Sequence, residues 1–319
     1  MKRLIKVFFL TSAIMLMAGC DDVFEEDITN DLVVKISPDD DSIITGNSVQ
    51  FRWEFLENTD DYRIQVVNEE KQRILLDSLV SNNSFILSLN PGKYNWRVRA
   101  ENFAYTTAYT FPSSFTMVSS EDLSDQTVFL SSPALDFYTN KDTVILTWEV
   151  IDAANSYYLE VDKTIQGNTV TDFQLGDISS TNYTLDTSVL EEDAIYIWKV
   201  KAVNQDSETS FSSRRILLDR QIPNQPVLTA PSNEETTTDT VNFVWSKGND
   251  IGEVTSPRIS VVEIATDINF VTVIRTEEVE DDSTEILFSS NGDYYWRVTT
   301  IDLAGNRSVI SEVRKFTVQ

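Results

Sequence analysis

The stretch Tyr94-Asn95-Trp96-Arg97-Val98-Arg99-Ala100-Glu101-Asn102 returns as Tyr196-Ile197-Trp198-Lys199-Val200-Lys201-Ala202-Val203-Asn204. It returns again as Tyr294-Tyr295-Trp296-Arg297-Val298-Thr299-Thr300-Ile301-Asp302. Each copy places Tyr, Trp and Val on alternate positions, with polar or basic residues between most of them. Period-two alternation of this kind is a strand with one buried face. Three occurrences in one chain say one β unit used three times.

Each late strand has an earlier partner with the same parity. Val49, Phe51, Trp53 and Phe55 precede the first, Val144, Leu146, Trp148 and Val150 the second, and Val241, Phe243 and Trp245 the third. Between them lie further alternating runs: Tyr62, Ile64 and Val66, then Tyr157, Leu159 and Val161, then Val262 and Ile264. The six tryptophans thus fall as three pairs that share parity with Val, Phe, Leu or Tyr, which directs all six to cores rather than to a ligand surface. Helical periodicity is absent outside the N-terminal residues. Short strands separated by Asn, Asp, Gly, Pro and Ser, in units of about 90–100 residues, predict two-sheet β-sandwiches.

These motifs resemble fibronectin type III and related immunoglobulin-like repeats. The resemblance implies an all-β chain of three tandem fibronectin-type-III-like sandwiches. It implies tyrosine corners at Tyr94, Tyr196 and Tyr294, and a hairpin turn at 302–308 in which Gly305 and Asn306 suit positive φ. Polar stretches at 119–126 and 219–226 set the expected boundaries: a signal peptide at 1–19, an acidic tether at 20–30, and domains at 31–118, 127–219 and 222–319. Pro223 and Pro226 are expected to stiffen the second junction.

At the N-terminus Lys2, Arg3 and Lys6 precede the apolar run 7–17, then Ala18, Gly19 and Cys20. This reads as a secretory signal too short to remain as a spanning helix. The small pair before Cys20 resembles a bacterial lipobox, which implies lipidation of Cys20 and a chain held to the membrane by that anchor. Cys20 is the sole cysteine and so has no disulfide partner. The following Asp21, Asp22, Glu25 and Glu26 resemble the surface-export signal of Bacteroidota lipoproteins, which implies an outer-membrane, lipid-anchored protein facing the cell exterior.

Composition removes several chemistries. The formal net charge is −26, and no cluster of basic residues stands out, so no nucleic-acid partner is expected. There is no histidine, and with the one cysteine assigned to lipid, Ser-His-Asp and Cys-His catalysis and the common zinc sites have no residues to build them. No glycine-rich phosphate loop is present. No cofactor and no metal site is expected: Asp39, Asp40 and Asp41, or Asp281 and Asp282, offer oxygens without the spacing of a calcium loop, and such runs are usually solvated. Abundant carboxylates leave glycoside hydrolysis open on composition but place no facing pair.

Contact residues are therefore sought in loops. Phe103 and Tyr105, after the first late strand, are the candidate partner contact, with Phe137 and Tyr138 as a second set. The expected role is non-catalytic: a binding or scaffold component of an outer-membrane protein complex. The alternative is a glycan-binding accessory lipoprotein of a nutrient-uptake system, which needs solvent-exposed aromatic platforms.

Overall fold

The computed structural model describes residues 25–319, so Cys20, Asp21 and Asp22 lie outside the described residues. Apart from one short 3-10 turn at Leu123–Asp125, the regular elements are all strands. They divide into two compact units, the first ending at Val118 and the second comprising Ser119–Gln319 together with the short turn Thr45–Ser48. Among the described residues no helix is long and apolar enough to cross a membrane.

The first unit is one sandwich. Its smaller sheet joins Lys35–Ser37, Ser48–Trp53 and Ser84–Ser88; its larger sheet runs in the order Ser42–Thr45, Ser113–Val118, Gly92–Glu101, Asp61–Asn68, Arg73–Val80. The predicted parity holds, with Val49, Phe51, Trp53, Tyr62, Ile64, Val66, Tyr94, Trp96, Val98 and Ala100 all in the core between the sheets. Phe51 packs its ring 5.0 Å from Trp96 and 5.8 Å from Phe115 in tilted and edge-on arrangements. Packing reaches back to Ile28, which is buried in this core although it falls in the 20–30 stretch expected to be a tether.

The second unit holds two more sandwiches with the same strand order. In the second domain Leu130–Ser132, Val144–Trp148 and Asn182–Leu185 face a five-stranded sheet centred on Ala194–Val203 and Ser156–Ile165. In the third, Val227–Ala230, Thr240–Ser246 and Ser283–Leu287 face a sheet centred on Gly292–Asp302 and Arg258–Ala265. The edge strands Phe137–Thr139 and Glu235–Thr237 run parallel to their neighbours, Ser212–Leu218 and Arg314–Val318. This split of three strands against five, repeated three times, is the fibronectin-type-III-like arrangement. The segment 119–126 is not a bare linker: Leu123 is buried in the second core.

All three tyrosine corners form. Tyr94, Tyr196 and Tyr294 donate their hydroxyls to the carbonyls of Asn90, Glu192 and Ser290 at 2.7, 2.9 and 2.9 Å. Each bond fixes the loop four residues upstream and gives the buried phenol an acceptor. Gly305 has φ of 95°, as expected for the turn, whereas Asn306 contributes through its side chain instead.

Phe55 and Val150 depart from the expected pattern, since both are exposed. The strands end at Trp53 and Trp148, and the chain leaves the sheet there, so parity no longer carries to the next alternate residue. Leu56 and Ile151 turn toward the cores in their place.

On the outer faces, the basic residue after each second tryptophan sits opposite a polar partner on the neighbouring strand. The register pairs Arg97 with Gln65, Lys199 with Glu160, and Arg297 with Glu263. Arg297 bonds Glu263 at 2.8 Å, and Arg97 bonds Gln65 at 2.9 Å while lying 4.3 Å from the Tyr109 ring. The aliphatic stems cover the sheet and the charged ends stay near water.

Candidate functional site

All six tryptophans are buried, so none of them offers a platform to a ligand. The loop aromatics behave differently. Phe103 is 92% exposed and Tyr105 is also exposed, in the turn that follows Gly92–Glu101. The turn itself is ordered by Asn102, whose side-chain oxygen accepts from the backbone N–H groups of Ala104 and Tyr105, and by Asp60, which accepts from the N–H of Phe103. Phe111 in the same connection is likewise 92% exposed. Phe137 and Tyr138 are instead half-buried on an edge strand, and Phe137 packs against the second core. Of the acidic residues after Cys20, Glu25 is half-buried and Glu26 exposed; Glu26 accepts from the Asn58 amide at 2.8 Å.

A second constellation was not legible as a site in the sequence. It lies where the chain passes from the second domain into the third. Six residues after the second tryptophan of each copy stand Asn102, Asn204 and Asp302. In the first two copies the amide is a clamp. Asn102 donates to the carbonyls of Glu26 and Asn58, both at 3.0 Å, and Asn204 to those of Glu121 and Ala153 at 3.0 and 3.1 Å. One amide thus ties the incoming segment to the far loop of its own domain. Asp302 has no hydrogen to give.

Around Asp302 the corner is rebuilt with carboxylates. Asp219, directly after the strand Ser212–Leu218, and Asp250, in the loop after Thr240–Ser246, each bring a carboxylate oxygen to within 4.8 Å of one from Asp302 and of each other. Asp219 is 1% exposed and Asp302 is 5% exposed. Asp302 accepts from the backbone N–H and the side-chain amide of Asn306, both at 2.8 Å, and Asp250 accepts from the N–H groups of Ile251 and Ser256. Asn306 also donates to the Asp219 carbonyl at 2.9 Å and accepts from Asn140 of the second domain at 3.1 Å. Asp219 accepts from the N–H of Gln221 through Oδ1, while its Oδ2 is buried with no hydrogen-bond partner.

No salt bridge reaches the three aspartates among the described residues. The nearby guanidinium groups are committed elsewhere, Arg220 to Asp142 and Asp193 and Arg258 to the Gly248 carbonyl. Burial accordingly pushes the Asp219 carboxyl up to about 7, against the pull of the Gln221 N–H and with a further push from Asp250, Asp302 and Asp193.

A pH dependence follows. An unfolded Asp titrates near 3.9, so between about 4 and 7 the folded chain keeps a proton that the unfolded chain has lost, and stability falls as pH rises through that window. Measured by urea unfolding in EDTA, the stability of wild type relative to Asp219→Asn should decline across that range, by up to about 1.4 kcal/mol per pH unit. A difference that stays flat with pH would show that Asp219 ionises normally.

No family model matches the chain, and no curated protein matches it. Among solved structures it is similar to the FN1–FN3 domains of chicken CNTN1, with 15% identity and a TM-score of 0.46 over 90% of this chain and 98% of that one.

Proposed function

We propose that this is a non-catalytic surface lipoprotein, anchored through Cys20 in the outer membrane and facing the exterior, that acts as a binding or scaffold component of an outer-membrane protein complex. The observation that carries the reading is the ordered first-domain turn that holds Phe103 fully in solvent beside Tyr105. Exposing a large aromatic side chain on a hydrogen-bonded turn gains nothing for folding, and aromatic residues are enriched where protein surfaces meet. The anchor rests on the lipobox-like residues before Cys20, and export on Asp21, Asp22, Glu25 and Glu26. In the three-carboxylate cluster of Asp219, Asp250 and Asp302 two members are buried, which leaves a substrate little approach to it and supports the non-catalytic reading. The glycan alternative has no tryptophan to stack on.

The test is crosslinking and affinity recovery of the native, lipidated protein, with wild type compared against Phe103→Ser/Tyr105→Ser. An outer-membrane protein should be recovered with wild type and lost with the double variant, whose own stability should move by less than about 1 kcal/mol because both sites are exposed. Recovery of the same partner with both forms would remove the turn from the interface. Recovery of the chain alone from both would overturn the scaffold role.

A further inference from the structure

The corner formed by Asp219, Asp250 and Asp302 is chemically incomplete in a way that specifies what completes it. Two domains close the equivalent corner with a neutral amide donor, and the third replaces that donor with a carboxylate facing two more. Among the described residues no salt bridge compensates. Three carboxylates that close, two of them buried, are stable when a cation lies among them and costly otherwise.

We propose that Asp219, Asp250 and Asp302 form a calcium site that fastens the second domain to the third. Three observations support it independently of the count of acidic residues. The Asp219 Oδ2 is buried and unpartnered, on a carboxylate that belongs to the converging set. The oxygens lie within 4.8 Å of one another, the span that an ion with Ca–O distances of about 2.3–2.6 Å can bridge. Each oxygen of Asp250 and Asp302 accepts one hydrogen bond, from Ile251, Ser256 or Asn306, so the ligands are oriented by bonds that leave a second lone pair on each oxygen free.

The donor set selects the ion. All-oxygen, carboxylate-rich coordination with neither imidazole nor thiolate disfavours zinc and copper. Magnesium retains its water shell and demands near-octahedral geometry, whereas calcium accepts six to eight oxygens in irregular cages, with backbone carbonyls and water filling out the shell. The mechanical consequence follows from where the ligands sit. Asp219 directly follows the last strand of the second domain, whereas Asp302 ends the strand Gly292–Asp302 of the third and Asp250 lies in the loop after Thr240–Ser246. One ion therefore spans the junction beside the Asn140–Asn306 hydrogen bond and restrains the angle between the two domains.

The experiment is calcium titration calorimetry on the full-length protein in detergent, after EDTA treatment and dialysis into physiological salt. Wild type should bind one ion per chain at this site with a dissociation constant of about 10⁻⁴ M or tighter, and calcium should raise the melting temperature of the second unit. Asp302→Asn restores the amide that the other two copies use, so it should fold normally while weakening binding by about tenfold or more. Asp219→Asn should do the same, and Asp250→Asn serves if either variant is unstable. Asp281→Asn/Asp282→Asn, in an exposed run, should bind as wild type does. Absence of saturable heat at millimolar calcium would overturn the proposal, as would binding that survives in Asp302→Asn and Asp219→Asn alike.

Discussion

Replacing Trp96 by alanine is expected to lower the stability of the first domain by about 3–5 kcal/mol, the range for emptying a buried tryptophan site. The side chain is almost fully buried, lies against Phe51 and Trp53, and donates its indole N–H to the Pro38 carbonyl at 3.2 Å. Rings of this rigidity cannot collapse into the space, so both the transfer term and the cavity term apply in full. A domain of about 90 residues holds only about 5–13 kcal/mol, and its melting temperature should fall by about 15 °C or more in scanning calorimetry. Phenylalanine gives a finer test. Trp96→Phe also abandons the Pro38 carbonyl, whereas the Trp198 indole N–H has no protein acceptor, so Trp198→Phe should cost less. A shift under about 5 °C for Trp96→Ala would mean that this core repacks freely.

Gly248→Ala should be nearly as damaging despite adding one methyl group. A Cβ at this position would stand 1.5 Å from the carbonyl oxygen of Asn224 and 2.3 Å from its carbonyl carbon. Both are backbone atoms, so no rotamer relieves the clash and the segment leading into the third domain must move. That segment is held by the Asn224 N–H on the Asn249 carbonyl at 2.9 Å and contains the buried Pro223 and Pro226. Displacing it breaks that bond and disturbs Asp219 a few residues earlier. The expected loss is about 3 kcal/mol, the upper end for overpacking, with faster limited proteolysis at 219–226. Gly167→Ala is the control. Its φ is 77°, but no atom lies within 4 Å of the added carbon, so only the conformational cost of about 1 kcal/mol applies. Equal stability of the two variants would contradict the close approach at Gly248.

How much of this was readable before the fold depended on the range of the interaction. Strand parity is local, so Trp, Tyr and Val at alternate positions announced their core faces directly, and the expectation failed only where a strand ended, at Phe55 and Val150. The loop position of Phe103 was equally local. The calcium-like corner was hidden, because Asp219, Asp250 and Asp302 are far apart in the chain and isolated acidic residues in loops are ordinarily solvated. One trace was available: Asp302 occupies the position of Asn102 and Asn204 in an otherwise matched motif. Without the partners of that amide, the exchange had no meaning.

The sequence alone determined three sandwiches, their cores and their strand registers, because hydrophobic alternation and tyrosine-corner spacing act within a single strand or loop. Only the tertiary structure decided that the segment 119–126 packs into the second domain through Leu123, and that three distant carboxylates meet at the second junction. Both depend on which loops the folded sheets bring to one end of a domain, and burial rather than composition turns those carboxylates from solvated charges into a cation's ligands.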